Sequence, residues 1–211
     1  LLNRNRDSTM YNRYLGVGFY QKHAWFGGVY EEGKSENMYI TVSIEDEPYL
    51  VLGLEFGPRD SVVKWAQQIV QAHPAHRVIL LTHSFLYIDG ERTKQGAKHH
   101  PRDYQGIMEA NDGEELWNKY FQHCPNLFAV FSGHHVPSNV AFRTDQGLHG
   151  NSVFQSFQNW QVTAEGGQGR VRLITLDQAK GKIKFQVYNP AAGHFEREPG
   201  YEIERDIPST N

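Results

Sequence analysis

The chain has little of three features that would narrow its class at once: cysteine, clustered positive charge and long apolar runs. Cys124 is the one cysteine among 211 residues, which excludes an internal disulfide scaffold. The net charge is −3, without a Lys/Arg cluster that could neutralise a phosphate backbone, so we expect no nucleic-acid partner. No apolar run is long enough to span a bilayer. With 39% hydrophobic and 21% charged residues, the composition is typical of a globular protein.

No signal peptide is visible in the sequence, and the chain opens with Leu1 and not with methionine. We therefore expect a fragment or a processed product, whose compartment and oligomeric state stay open. We expect a single domain over 1–211 with four parts. These are an irregular entry segment (1–37), a sheet-and-helix part (38–136), antiparallel strands (137–190) and a polar tail (191–211).

Two apolar runs of strand length each stop at histidine. One run covers residues 78–82 and leads into His83; the other covers residues 128–132 and leads through Gly133 into His134 and His135. Such runs are typical of strands buried on both faces. Side chains just past the carboxyl ends of parallel strands line the crevice where open α/β sheets bind ligands. Two histidines at equivalent places in successive strands therefore indicate a shared site for a metal or for proton transfer.

The order of elements predicts an α/β (α+β) fold. A hairpin over residues 38–55 comes before a helix whose apolar residues recur at helical spacing, and the strand ending at His83 follows. Asp112 is expected to cap a second helix, before the strand that ends at Gly133. This strand–helix–strand–helix–strand half favours parallel pairing. Shorter strands joined by glycine turns follow after residue 136, and we expect them to form an antiparallel sheet.

Several short sequence motifs, and their order along the chain, resemble those of the calcineurin-like metallophosphoesterases, in particular bacterial-type members. The resemblance covers residues 5–190 approximately and is carried by short motifs. They are Leu54-Glu55-Phe56-Gly57-Pro58-Arg59-Asp60, Leu81-Thr82-His83, Phe131-Ser132-Gly133-His134, Gly150-Asn151-Ser152-Val153-Phe154-Gln155, Asn159-Trp160-Gln161 and Gly166-Gly167-Gln168-Gly169. The resemblance implies a partial αββα sandwich, a site for two divalent transition metals (Zn, Fe or Mn) and hydrolysis of phosphate esters by a metal-activated water.

Carried over residue by residue, the resemblance makes His83 the family's lone histidine ligand and His134 the first histidine of its Gly-His-x-His block. Val136 stands where the second histidine of that block belongs, and valine cannot bind a metal. His135 could replace it only if the loop bends, because neighbouring residues in an extended segment point in opposite directions. The family's Asp-x-His and Gly-Asp-x-x-Asp blocks do not occur in the chain, and Gly-Asn-His is also missing. We expect these blocks upstream in a longer protein.

Some other polar residues near the predicted site allow two interpretations. Arg59 follows a strand at the same edge of the sheet, where it could contact a substrate phosphate or form a surface ion pair. Asp60 is read as a helix cap. His99 and His100 lie in the long polar stretch 86–112, and we expect them to be solvated unless this stretch folds over the site.

Two functions from different classes are compatible with these sequence features. The first is a metal-dependent phosphoesterase, catalytic when this chain is joined to the missing amino-terminal half and inactive by itself. The second is a non-catalytic binding module that keeps the fold without a complete dimetal site. Either would be compatible with a secreted or periplasmic protein, and the substrate and the metal stay open.

Overall fold

The computed structural model describes residues 6–104, 106–107, 109–137 and 139–208. Over these residues it contains a mixed seven-stranded sheet and a separate antiparallel sheet, with a few helices. The strands are β1 (Phe26–Val29), β2 (Met38–Ile44), β3 (Glu47–Leu54), β4 (Arg77–Thr82), β5 (Leu127–Ser132), β6 (Val140–Gln146), β7 (Ser152–Gln158), β8 (Val171–Asp177), β9 (Lys182–Asn189), β10 (His194–Glu196) and β11 (Glu202–Asp206). The α-helices are α1 (Thr9–Tyr14), α2 (Asp60–Ala72) and α3 (Gly113–Lys119). Short 3-10 helices cover Val17–Phe19, Pro101–Asp103, Phe121–His123 and Ala164–Gly167.

The large sheet has the strand order β1-β2-β3-β4-β5-β7-β6. Its centre is parallel: β3 pairs with β4, β4 with β5, and β5 with β7. The β3–α2–β4 and β4–α3–β5 crossovers confirm the predicted strand–helix–strand–helix–strand half and the mixed fold class. Because these strands run in the same direction, their carboxyl ends lie at one edge of the sheet.

Helices cover one face of the large sheet and the small sheet covers part of the other. On the helical side, alternate residues of β3 and β4, such as Leu52 and Leu80, pack against buried residues of α2 and α3. On the opposite side, Tyr49 and Phe154 pack against Ile183 and Phe185 of the small sheet. Strand β5 is buried along its whole length, as its unbroken apolar sequence predicts.

Three details differ from the sequence-based expectation. Strands β6 and β7 join the large sheet, and β7 runs parallel to β5 instead of belonging to a separate antiparallel sheet. The reason is that β7 is buried on both faces, which suits a central position. The predicted tail contributes β10 and β11, which pair with β9, and the predicted irregular entry segment contains β1.

The second face of the large sheet is open near its carboxyl edge. Ile79 packs between the two sheets, whereas Leu81, two residues further along the same face of β4, is 42% exposed. The small sheet therefore ends before it reaches the strand ends that carry the histidines.

In the part of the chain that the structure describes, no helix has the length and apolar character needed to cross a membrane.

Candidate metal centre

His83 and His134 meet at the carboxyl edge of the large sheet. His83 directly follows β4, and His134 comes two residues after the end of β5. The Nδ1 atom of His134 lies 3.0 Å from Nε2 of His83, and the ring centroids are 4.7 Å apart. The structure thus brings together the two side chains that the sequence marked at equivalent places.

The backbone turns sharply at His134. Its φ of 75° lies in the left-handed region, which non-glycine residues rarely adopt. This conformation ends the extended run of β5 and is one of the local departures that cluster at functional sites.

Phe56 packs against both histidine rings. It follows the end of β3, so three neighbouring parallel strands each deliver a ring to the same place. The Phe56 centroid is 5.2 Å from that of His83, 4.7 Å from that of His134 and 5.3 Å from that of Tyr104. Contacts on this scale restrict the orientation of the imidazoles and reduce their access to water.

The second nitrogen of His134 faces the stretch between β4 and α3. Its Nε2 atom lies 3.1 Å from the carbonyl oxygen of His99 and 3.2 Å from the hydroxyl of Tyr104. A ligand histidine commonly bonds a carbonyl through the nitrogen that does not face the metal, which orients the ring.

Both imidazoles favour the uncharged form. Burial, reinforced by the neighbouring His83, lowers the pKa of His134 to about 4. Partial burial also lowers the pKa of His83, although this residue keeps an exposed edge. Neutral imidazole is the form that binds transition metals, so these rings are ready to act as ligands at neutral pH.

The distance between Nδ1 of His134 and Nε2 of His83 is short enough for both atoms to bind one ion. Two nitrogens that each lie about 2.1 Å from one ion are about 3.0 Å apart at the right angle of an octahedral site and about 3.4 Å apart at the tetrahedral angle. Across the residues that the structure describes, however, no group of three or more His, Cys, Asp or Glu side chains is arranged to hold a metal ion. The pair therefore fits part of a coordination sphere.

His135 packs beside His134, with ring centroids 4.8 Å apart, but its Nε2 atom is engaged by another residue. Its Nε2 atom forms a hydrogen bond of 2.9 Å with the hydroxyl of Ser84, and both residues are fully buried. Burial, with a smaller effect of His134, lowers the pKa of His135 to about 4. His135 thus packs as a neutral interior histidine, and it does not complete a three-ligand set with His83 and His134.

Arg59 is engaged by a carboxylate. Its Nε lies 2.8 Å from Oε1 of Glu55 and its Nη2 lies 3.3 Å from Oε2, while Arg6 contacts Oε1 of the same carboxylate at 3.1 Å. Of the two readings of Arg59, the geometry favours the ion pair. Asp60 does not cap α2, since the cap position is Arg59; its carboxylate instead accepts hydrogen bonds from Asn111 and Tyr120.

A groove of about 1130 Å³ adjoins His83 on the open face of the sheet. Its floor is formed by residues of the central strands, among them Val51, Leu81 and Phe131, and Trp25 lies on its wall. The carboxylates of Glu36 and Glu55 also line it. The groove can therefore receive a ligand with an apolar or aromatic portion next to His83.

Sequence reasoning missed Phe56 and Tyr104 and misjudged His100. Phe56 could have been found with the rule used for His83, because it too follows a parallel strand. His100 was expected to be solvated but is 4% exposed, and its Nε2 bonds the buried carboxylate of Asp112 at 3.0 Å. No local pattern marks Tyr104, whose contact with His134 depends on the path of the intervening chain.

Comparisons with known proteins add one relative. No protein-family model matches the sequence. The chain is 27% identical over 186 residues to the uncharacterized protein YvnB of Bacillus subtilis (strain 168). The alignment covers 85% of this chain and 13% of YvnB, so the chain spans a small part of that protein's length. The name of that relative states no activity, and the similarity assigns none.

Proposed function

We propose that the chain is part of a metal-dependent phosphoesterase of the calcineurin-like type, in which His83 and His134 bind the same divalent transition ion. The observation that carries the proposal is the 3.0 Å separation between Nδ1 of His134 and Nε2 of His83 at the carboxyl edge of a parallel sheet. Zinc, iron and manganese all accept neutral imidazole, so the proposal leaves the metal open.

Each residue of the site has a defined task in this proposal. A divalent ion supplies Lewis-acid activation of a phosphoryl oxygen and of water. His83 and His134 hold it, and Phe56 fixes the two rings and reduces their contact with water. The groove beside His83 receives the organic portion of the ester.

Two imidazoles leave most of the coordination sphere of a transition ion to other ligands. We propose that carboxylate and further histidine ligands, and the site of a second ion, come from polypeptide outside these 211 residues. The chain by itself should therefore bind an ion weakly and should not hydrolyse phosphate esters at a useful rate.

Titration of the purified chain with Co²⁺ or Zn²⁺ tests the ion site directly. We expect weak binding that is lost in His83→Gln and in His134→Gln, because each substitution removes one of two ligands. His149→Gln is the matched control, since His149 is exposed and lies far along the chain in the turn before β7. Equal affinity of the wild type and the His83→Gln/His134→Gln double variant would contradict the ion site.

Activity is tested in a longer protein that includes the polypeptide on either side of this chain. Loss of even a residue that only orients a ligand costs about 10–100-fold. We therefore expect His134→Gln to reduce metal-dependent hydrolysis of an aryl phosphate by at least about 100-fold. Wild-type turnover in the presence of His134→Gln would show that the reaction does not use this site.

The groove supports a second candidate function, a non-catalytic binding module that takes a small ligand with an apolar portion. Its largely apolar floor and its volume suit such a ligand without any ion. An apolar fluorescent dye distinguishes the two functions. Binding that persists in the His83→Gln/His134→Gln variant but falls in Leu81→Asp, combined with no metal uptake, would favour the module.

A further inference from the structure

The contacts of His134 select one of its two neutral tautomers. Its Nε2 atom faces the carbonyl oxygen of His99 at 3.1 Å and the hydroxyl of Tyr104 at 3.2 Å. A carbonyl oxygen only accepts hydrogen bonds, whereas a phenol hydroxyl can donate or accept. A proton on Nε2 donates to the His99 carbonyl and can be shared with the Tyr104 oxygen, whereas a lone pair on Nε2 could accept only from Tyr104 and would face the lone pairs of the His99 carbonyl. The Nε2–H tautomer is therefore favoured, and it leaves the lone pair on Nδ1, directed at His83.

A buried pair holds the segment that supplies this carbonyl. The backbone N–H of Arg102 donates to Nδ1 of His100 at 3.1 Å, so Nδ1 carries no proton and Nε2–H donates to Asp112 at 3.0 Å. The side chains of His100 and Asp112 are only 5% and 4% exposed. Asp112 also caps α3 by accepting from the N–H of Glu115 at 2.8 Å. The pair thus ties the turn at residues 99–104 to the start of a helix.

Further contacts within the turn leave it little freedom. The backbone N–H of His100 donates to Asp103 at 2.9 Å, and Pro101 restricts the chain between them. His99 itself has a φ of 62°, a conformation that persists in a non-glycine residue only when its surroundings hold it. Its neighbour His100 is fixed by its bonds to Arg102, Asp103 and Asp112.

We propose that His100 and Asp112 are positioning residues that keep His134 in the Nε2–H tautomer and so keep Nδ1 available as a ligand. The part that concerns metal rests on the proposed function, whereas the part that concerns the tautomer does not. Neither residue touches the ion in this proposal; both act through the His99 carbonyl.

Nuclear magnetic resonance of the metal-free chain tests the tautomer. In protein labelled with [¹⁵N]histidine, long-range proton–nitrogen correlations distinguish Nε2–H from Nδ1–H, and the His134→Gln variant assigns the signals of His134. We expect Nε2–H in the wild type. A predominant Nδ1–H tautomer would overturn the inference whether or not the chain binds metal.

Four variants separate positioning from general damage. His100→Ala removes the hydrogen bond between His100 and Asp112. Asp112→Asn keeps a side-chain oxygen that can accept from the N–H of Glu115, but it places a side-chain N–H opposite Nε2–H of His100. Both should give mixed or reversed His134 tautomers and weaken Zn²⁺ binding about tenfold. Arg102→Gln breaks a partly exposed ion pair with Glu115 in the same turn, and Tyr104→Phe removes the hydroxyl but not the carbonyl. Both should keep Nε2–H.

The outcomes are distinguishable. If His100→Ala does not fold, Asp112→Asn decides the role of the pair. An unchanged His134 tautomer in a folded His100→Ala or Asp112→Asn variant would overturn the inference. A reversed His134 tautomer in Tyr104→Phe would also overturn it. If the wild type binds no Zn²⁺ but shows the expected tautomers, the proposed function fails and the positioning role of His100 and Asp112 stands.

Discussion

The backbone N–H of Gly133 donates to the carbonyl of His83 at 3.0 Å. This hydrogen bond continues the parallel pairing of β4 and β5 past the last residues of both strands. Because of it, the chain segments that carry His83 and His134 leave the sheet side by side. The backbone pairing of the sheet, and not a contact between side chains, therefore brings the backbones of His83 and His134 close together.

Gly133 is expected to tolerate no side chain. A Cβ atom at this position would lie 2.8 Å from the carbonyl oxygen of Gln158 on β7, and a backbone atom cannot move aside cheaply. We expect Gly133→Ala to lower the free energy of unfolding by about 1–3 kcal/mol and to weaken metal binding by displacing His134. Denaturant unfolding and Zn²⁺ titration measure the two effects. Gly18→Ala is the control, because a Cβ there meets no atom within 4 Å; equal results for both variants would refute the prediction.

Arg59 is expected to make little contribution to anion binding. Its guanidinium already bonds both oxygens of Glu55. We expect Arg59→Gln to change the affinity for inorganic phosphate less than about twofold while reducing stability modestly, by about 1 kcal/mol or less. Phosphate titration and unfolding curves measure these effects. A tenfold loss of phosphate affinity would restore the substrate-binding role that the sequence left open.

Two carboxylates around Arg92 should differ widely in their effect on stability. Arg92 is 7% exposed, packs on Trp117 and bonds Asp145, which is itself partly buried. Asp145→Asn removes the charge that compensates this guanidinium and should cost about 3 kcal/mol. The more exposed Glu114 lies 3.4 Å from Arg92, so Glu114→Gln should cost at most about 1 kcal/mol. Urea unfolding of both variants tests the contrast, and similar losses would contradict it.

Cys124 is expected to be unreactive in the native chain at neutral pH. Burial raises the pKa of its thiol to about 11 from an ordinary value of 9.0. Alkylation by iodoacetamide at neutral pH should therefore be slow in the native protein and fast in denaturant. Rapid native labelling would show that the thiolate forms readily.

The raised pKa of the Cys124 thiol also predicts a loss of stability at alkaline pH. The folded pKa of Cys124 lies above the unfolded one, so its contribution to stability is fully present below about pH 9. It is lost as the pH rises toward 11. Unfolding curves of the wild type and Cys124→Val over this range measure the effect. The slope of stability against pH should be less steep in the variant, and identical slopes would exclude Cys124 as the cause.

Several elements could be predicted because their signals are local. The spacing of apolar residues in 62–70 predicts a helix with one buried face, and this prediction does not depend on which element packs against that face. Val62, Ala66 and Val70 are indeed buried. The same holds for β5, whose apolar sequence fits a strand buried on both faces. The place of β7 was missed because its burial on both faces does not say which strand it pairs with. That choice depends on contacts between residues distant in sequence.

The sequence by itself determined that two strands end in histidine and that helices separate them, since these features depend on residue type and spacing along the chain. Only the tertiary structure decided which other groups surround the histidines. It placed Phe56 against both rings, turned His135 toward Ser84 and buried His100 against Asp112. The physical reason is that a strand end defines where a side chain starts, whereas its direction and its hydrogen-bond partners depend on loops whose paths are decided by packing.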